Sequence, residues 1–142
     1  MSVIRALTKV LSMQSPYANV NMSYIDKTYP HSNQRRSVVT AILGKHTADR
    51  SLFYVEAGCM YGYSLITAFN AARSMNVDVE FVAIDPFTGD VNMWDWEENA
   101  AKRNTFKFLH LQEGQPTIFQ RFLANTAAKG MEKSLIPIRT TS

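Results

Sequence analysis

One short segment constrains the fold of this chain more than any other. The apolar run Leu52-Phe53-Tyr54-Val55 is followed at once by Glu-Ala-Gly-Cys-Met-Tyr-Gly-Tyr-Ser, residues 56–64. The run is rich in β-forming residues and predicts a buried strand. Gly58 and Gly62 allow the backbone to bend sharply into the helix that we predict next. A strand that turns into a helix through a glycine-containing loop is typical of α/β folds with a parallel sheet.

Helices and strands alternate through the rest of the chain. The predictions are a helix over Tyr63–Met75, a strand over Val77–Ile84 with Phe81–Ile84 as its buried part, a loop over Asp85–Asp90, helices over Trp94–Lys102 and Thr117–Lys129, and a strand over Leu135–Ile138. Pro116 and Gly130 suit the start and stop of the last helix, and Pro137 favours an edge position for the last strand. This alternation predicts right-handed crossovers between parallel strands.

Two further helices are predicted ahead of the first strand. Apolar residues at helical spacing predict an amphipathic helix over Val3–Met13 and a second helix over Asn33–His46, with Ser32 as its N-cap. We therefore predict a single α/β domain over residues 1–142, with an N-terminal helical cap segment (1–48) and a Rossmann-like half (50–142) whose three strands have the order 3-2-1.

Charge and cysteine content exclude several function classes. The net charge is +3 and the Lys and Arg residues are scattered, so we expect no nucleic-acid partner. The single cysteine, Cys59, allows neither an internal disulfide nor a multi-cysteine zinc site, which favours a reducing, cytoplasmic location. No apolar run in the sequence is long enough to predict a membrane span. His31, His46 and His110 lack ligand spacing, so we expect no metal site.

The turn after the first strand has the features of a ligand-binding turn. Glycines permit close approach of the backbone to a ligand, the helix N-terminus offers free N–H groups, and Ser64 adds a hydroxyl. Dinucleotide-binding folds use Gly-x-Gly-x-x-Gly at this place, whereas this chain has Gly58-x-x-x-Gly62 preceded by Glu56. A carboxylate here would repel a pyrophosphate and suits a ligand with an ammonium group.

A second carboxylate ends the next predicted strand. Asp85 is placed to accept hydrogen bonds from two ribose hydroxyls. Ligands of open α/β sheets bind at the carboxyl ends of the strands, where both Glu56 and Asp85 lie. S-adenosylmethionine, with its ammonium, carboxylate, sulfonium and ribose groups, suits this pair of carboxylates.

Three stretches resemble class I S-adenosylmethionine-dependent methyltransferases over about residues 50 to 142. Glu56-x-Gly58-x-x-x-Gly62-Tyr63-Ser64 resembles motif I of small-molecule O-methyltransferases, and Ala83 to Asp90 resembles the second motif of members that modify sugars and macrolides. Phe122 to Ser142 is similar to the next stretch, with Asn125 and Gly130 at the end of a helix.

The resemblance implies a set of cofactor-binding residues. It places the turn residues Glu56, Gly58, Tyr61, Gly62 and Ser64 at the methionine end of S-adenosylmethionine, Asp85 at the ribose, Phe87 beside the adenosine and Ser142 near the adenine. Relative to a seven-stranded methyltransferase the fold is incomplete, and no catalytic residue is assigned. The substrate would be a small molecule or sugar, methylated on oxygen.

Plainer readings of the same residues remain open. Gly58 and Gly62 also suit an ordinary strand-to-helix turn. Glu56 also suits a capping or salt-bridge role, and Cys59 suits simple packing. Trp94 and Trp96 suit either a lid over a substrate or the start of an amphipathic helix. The tyrosines at 17, 24 and 29 suit either a flap over the cofactor or interfacial packing.

Three functions follow for testing. The first is methyl transfer by a chain that supplies the cofactor-binding half. The second is a non-catalytic cofactor-binding or interaction module, and the third is an NAD- or nucleotide-binding α/β protein. Because the first strand would leave an unpaired apolar edge, we also expect a homo-oligomer or a partner chain that covers it.

Overall fold

Eight helices and strands make up the described part of the chain. The structure is a computed structural model that describes residues 15–26, 33–45, 52–94 and 105–140, with only the backbone for residues 33–36. The elements are α1 (Asn33–Leu43), β1 (Leu52–Ala57), α2 (Tyr63–Ser74), β2 (Val79–Asp85), β3 (Leu111–Gln112), β4 (Gln115–Pro116), α3 (Ile118–Ala127) and β5 (Leu135–Arg139). Short 3-10 helices lie at Met22–Tyr24, Val91–Met93 and Phe106–Leu109.

The main sheet is parallel and three-stranded. β2 lies at its centre, with β1 on one side and β5 on the other. β1 and β2 pair from Leu52 opposite Val79 to Ala57 opposite Ile84. β5 lies at the other edge, where Pro137 is opposite Ala83 of β2. A mixed α/β fold with a parallel sheet is therefore confirmed.

The hydrophobic core lies on one face of this sheet. β2 directs Val79, Phe81 and Ala83 into the core, in alternation with half-buried residues. The Phe69 ring of α2 meets the Phe81 ring edge-on at 5.8 Å between centroids. Since every second residue of β2 is buried on this face, the carboxyl end of β2 carries Asp85 into the same buried layer.

The opposite face of the sheet is open within the described ranges. Phe53 and Val55 of β1 are 51% and 60% exposed, and Ile138 of β5 is 41% exposed. Parallel sheets are usually covered on both faces. Within the described residues, this face of the sheet therefore presents apolar side chains from both β1 and β5.

Most predicted elements occur with shifted ends. α1 ends at Leu43, where Gly44 N–H bonds to the Thr40 carbonyl at 2.9 Å, earlier than the predicted end at His46, which lies outside the described residues. α3 ends at Ala127, and Gly130 has a φ of 75° in the predicted stop region. The β3–β4 hairpin was not predicted.

One predicted helix, and all but the first residue of another, fall outside the described part of the chain. They are the helix Val3–Met13 and residues 95–102 of the helix Trp94–Lys102. Trp94 itself follows the 3-10 helix Val91–Met93, and its indole N–H donates to the Thr88 carbonyl at 3.0 Å. None of the described helices has the length and apolarity needed to cross a membrane.

Candidate functional site

The turn from β1 to α2 is built from residues with positive φ. Gly58, Met60 and Gly62 have φ values of 79°, 47° and 82°. Gly58 N–H still bonds to the Ile84 carbonyl at 2.9 Å, so the turn begins while β1 is attached to β2. Gly62 N–H bonds to the Cys59 carbonyl at 2.8 Å and its own carbonyl accepts from Ile66 N–H, which starts α2. The backbone thus reverses within five residues between a strand and a helix.

Glu56 and Ser64 lie side by side in the wall of a first cleft. The Ser64 hydroxyl donates to Glu56 Oε1, and the Tyr54 hydroxyl donates to Glu56 Oε2 at 3.1 Å. Together with Gly58 and Val38 they line a cleft of about 470 Å³, which we call the β1 cleft. Its remaining lining residues are Val39 and Ala57. The carboxylate is therefore oriented by two hydroxyls in a half-buried wall.

Asp85 connects the glycine turn to the loop that follows β2 through two hydrogen bonds. Its Oδ2 accepts from Met60 N–H at 2.8 Å, and its Oδ1 accepts from Phe87 N–H at 2.5 Å. The residue is only 9% exposed. Each carboxylate oxygen carries a second lone pair, so two backbone bonds do not exhaust the acceptors of Asp85.

The second cleft opens on the other side of Gly58. We call it the β2 cleft; it measures about 320 Å³ and is lined by Gly58, Met60, Asp85, Pro86, Gly89, Asp90, Met93 and Ile118. Asp90 is exposed, and its Oδ1 accepts from the Asn92 backbone N–H at 2.9 Å and from the Asn92 side-chain amide at 2.8 Å. Both clefts are within the size range of small-molecule sites. Because Gly58 borders both, one elongated ligand could occupy them together.

Three residues expected at the cofactor line neither cleft. Gly62 packs against α3, where an added Cβ would lie 3.1 Å from the Phe122 ring. Phe87 is 1% exposed and its ring lies 4.9 Å from the rings of Phe119 and Phe122, so it belongs to the core and not to an adenosine wall. Tyr61 turns away from both clefts because its hydroxyl donates to the Phe108 carbonyl.

The other predicted binding residues are distributed as follows. Glu56, Gly58 and Ser64 come together in the β1 cleft, and Gly58 and Asp85 in the β2 cleft. Ser142 lies outside the described residues. Among the described residues, no group of three or more His, Cys, Asp or Glu side chains is arranged to hold a metal ion.

The sequence did not reveal most of the apolar lining. Val38 of α1 reaches the β1 cleft, and Met93 and Ile118 reach the β2 cleft from distant parts of the chain. Each is an ordinary apolar residue in its own element, so no local pattern marks it. The sequence could have indicated Asp90, because it is the last residue of the Ala83-to-Asp90 segment that resembles a methyltransferase motif.

Cys59 is a packing residue of the turn. It is 4% exposed, and its thiol donates to the Glu56 carbonyl at 3.1 Å. Burial, reinforced by the Glu56 charge, raises the pKa of the thiol to about 12. The thiol therefore stays protonated at neutral pH, and its position beside a helix N-terminus does not activate it.

We expect native Cys59 to resist alkylation. At pH 8 iodoacetamide should modify the folded protein at least about tenfold more slowly than the urea-unfolded protein, because both the raised pKa and burial suppress attack by the thiolate. Mass spectrometry of the modified fraction over time measures this. Equal rates in the two states would contradict the packing of this thiol.

No protein-family model matches the chain, and no curated protein or solved structure is significantly similar to it.

Proposed function

We propose that the β1 and β2 clefts together bind S-adenosylmethionine, with the methionine end in the β1 cleft and the nucleoside in the β2 cleft. The observation that carries this proposal is the junction of the two clefts at Gly58, with one carboxylate at the end of each flanking strand, Glu56 and Asp85. A long ligand with a cationic end and a ribose has groups that suit both carboxylates.

The β1 cleft has the polarity that a zwitterionic methionine end requires. Glu56, oriented by Ser64 and Tyr54, attracts the ammonium group. Ser64, at the N-terminal end of α2, lines the same cleft, and the positive end of the helix dipole attracts the carboxylate. Opposite charges of the ligand thus meet opposite charges of the site, a few residues apart in the chain.

The β2 cleft combines acceptors with an apolar wall. Asp85 and Asp90 accept hydrogen bonds from ribose hydroxyls, and the second carboxylate oxygen of Asp90 has no hydrogen-bond partner in the described part of the chain. Met60, Met93 and Ile118 offer apolar surface to a base. The sequence predicted Asp85 alone at the ribose, and we propose Asp90, which lines the same cleft, as a second acceptor.

We propose methyl transfer to an oxygen of a small molecule or sugar as the activity, on a Rossmann-like fold with strand order 3-2-1. The cofactor supplies an electrophilic methyl group on its sulfonium. The described residues bind and orient that cofactor, and orientation supplies a large share of the rate in a displacement reaction. A reducing, cytoplasmic location suits the unpaired thiol of Cys59.

A cofactor-binding module without catalysis is the second candidate. Apart from the Tyr54 phenol, which donates to Glu56, the ionisable side chains that line the two clefts in the described structure are the carboxylates of Glu56, Asp85 and Asp90, and each of them accepts hydrogen bonds. No general base is therefore assigned. A methyl-transfer assay against panels of phenols and sugars separates the two candidates.

Replacing Glu56 with glutamine is expected to weaken S-adenosylmethionine binding by about 10-fold to 100-fold. The substitution keeps the shape of the side chain and one acceptor oxygen for the two hydroxyls, but it replaces the other oxygen with an amide donor and removes a charge-assisted hydrogen bond worth about 1.5–3 kcal/mol. Calorimetric titration of both proteins measures the dissociation constants.

Glu113→Gln is the matched control for this titration. Glu113 is exposed in the turn between β3 and β4 and lines neither cleft. The Glu113→Gln substitution should leave the affinity for S-adenosylmethionine unchanged, although it alters the net charge by the same amount as Glu56→Gln. Equal affinities in the Glu56→Gln and Glu113→Gln variants would remove Glu56 from the site.

We propose that a second copy of the chain, or another polypeptide, covers the β1 edge and the open sheet face. Phe53 and Val55 supply exposed apolar surface next to an edge that has no strand partner in the described ranges. If the cover is a second copy, Val55→Lys should lower the average mass of the purified chain in light scattering at micromolar concentration. Val91→Lys is the control, because Val91 is 80% exposed outside the sheet. A monomer in all three proteins would exclude self-association.

A further inference from the structure

A third cavity lies behind the glycine turn, away from both clefts. It measures about 390 Å³ and lies between the 3-10 helix Phe106–Leu109 and the N-terminal ends of α2 and α3. Its aromatic walls are Tyr61, Tyr63, Phe108 and His110, and we call it the rear cavity. Tyr61 directs its side chain here, whereas Gly58 and Met60 of the same turn line the clefts.

The walls of the rear cavity are held by hydrogen bonds to their neighbours. The Tyr61 hydroxyl donates to the Phe108 carbonyl, and the Tyr63 hydroxyl donates to Asp26 Oδ2. The His110 and Tyr61 rings lie 5.8 Å apart. The Asn125 side-chain amide holds the turn in place by donating to the Tyr61 carbonyl at 3.1 Å. Because these groups are fixed by other contacts, the cavity is preformed.

Arg121 presents a charged group to this cavity. Its Nε donates to the Thr117 hydroxyl at 3.3 Å, which orients the guanidinium from α3. The terminal guanidinium nitrogens make no hydrogen bond to any described residue. A planar guanidinium with two available nitrogens matches a carboxylate or phosphate bidentately.

The charge balance of the rear cavity is positive. Among the described lining residues, Lys107 of the 3-10 helix and Arg121 of α3 carry positive charge, and Asp26 is the acidic residue. Burial, together with the Arg121 charge, lowers the pKa of His110, so the ring is largely neutral at pH 7.5 and offers one N–H donor. Two cations and one carboxylate among aromatic walls favour an anionic ligand with a flat apolar part.

We propose that the rear cavity binds a small organic oxyanion, with its carboxylate or phosphate on Arg121 and Lys107 and its ring against Tyr61 and Phe108. This site is separate from the clefts and does not depend on the proposed cofactor. Aromatic residues and a few placed polar groups are the usual composition of small-molecule sites of this size.

Nuclear magnetic resonance titrations of the ¹⁵N-labelled chain with benzoate, acetate and inorganic phosphate test the proposal. Benzoate should bind saturably in the millimolar range and shift the amides of Lys107, His110 and Arg121, and acetate should bind more weakly because it lacks a ring. Phosphate binding tighter than benzoate would assign the site to phosphorylated ligands, and the reverse would assign it to carboxylates. No saturable shift with any of the three overturns the proposal.

Two variants with opposite expected effects make the test sharper. Arg121→Gln should weaken benzoate binding at least about tenfold, since it removes the charge-assisted pair, whereas Arg73→Gln, which alters an exposed arginine over the Phe69 ring, should leave it unchanged. Asp26→Asn should tighten binding severalfold by removing the repulsive charge. Circular dichroism confirms that each variant is folded. Equal binding by the two arginine variants, or weaker binding by Asp26→Asn, overturns the proposal.

Discussion

Gly62→Ala is expected to lower the free energy of unfolding by about 2–5 kcal/mol. Two costs add at this position. The φ of 82° is unfavourable for an L-residue with a Cβ, at about 1–2 kcal/mol. The new methyl would also lie 3.1 Å from the Phe122 ring and 3.2 Å from Thr126 Cγ2, and overpacking of this kind costs about 1–3 kcal/mol. Urea denaturation of both proteins measures the difference.

Gly130→Ala isolates the backbone part of that cost. Gly130 has a similar φ of 75°, but an added Cβ would have no heavy atom within 4 Å. Its loss should be about 1–2 kcal/mol, and the excess at Gly62 is then the packing of the turn against α3. Equal losses at the two glycines would contradict the close approach of α2 and α3.

Asp85→Ala is expected to cost about 3 kcal/mol of stability. The substitution leaves the backbone N–H groups of Met60 and Phe87 without their acceptors at a site that is 9% exposed. Hydrogen bonds to a charged group contribute about 1.5–3 kcal/mol each, and a buried donor without a partner carries the full desolvation penalty. A loss of this size is a large fraction of the stability of a small domain.

Asp90→Ala is the matched control for Asp85→Ala. Asp90 accepts from a backbone N–H two residues later, as Asp85 does from Phe87, but it is exposed. Its loss should be about 1 kcal/mol, as for an ordinary cap. If Asp85→Ala lowered the free energy of unfolding no more than Asp90→Ala does, the hydrogen bonds of Asp85 would not stabilise the turn. Its carboxylate would then be available mainly to a ligand.

The strands and helices of the core were the predictable part of the fold. The apolar run Leu52–Val55 and the glycine turn located β1 and α2 to within a few residues, because hydrophobic pattern and turn residues agree there. The β3–β4 hairpin was missed because two-residue strands carry no periodicity. The Glu113-Gly114 pair, with φ values of 51° and 76°, was its only local signal.

The site was predictable where a residue is fixed by its place at the end of a strand. Glu56 and Asp85 follow from strand ends, and both line the clefts. Phe87 and Gly62 follow the same motifs but serve the core, because the positive φ of Phe87 turns its ring between Phe119 and Phe122. Side-chain direction in a turn depends on tertiary packing, which a linear motif does not contain.

The clefts themselves could not be derived from one element. Val38 of α1 contributes apolar surface to the β1 cleft, and Met93 and Ile118 contribute it to the β2 cleft, so each cleft forms only after separate elements have packed. The same limit applies to Tyr61, whose hydroxyl bond to the Phe108 carbonyl joins residues far apart in the chain. Long-range pairing therefore decided which motif residues line the two clefts.

Calorimetric titration of the unmodified chain with S-adenosylhomocysteine, S-adenosylmethionine and NAD tests the central proposal most directly. Both sulfur compounds should bind saturably at one site per chain, and NAD should not bind, because Glu56 repels a pyrophosphate at the glycine turn. Saturable binding of NAD without binding of either sulfur compound, or no binding of any of the three, would contradict the assignment of the β1 and β2 clefts.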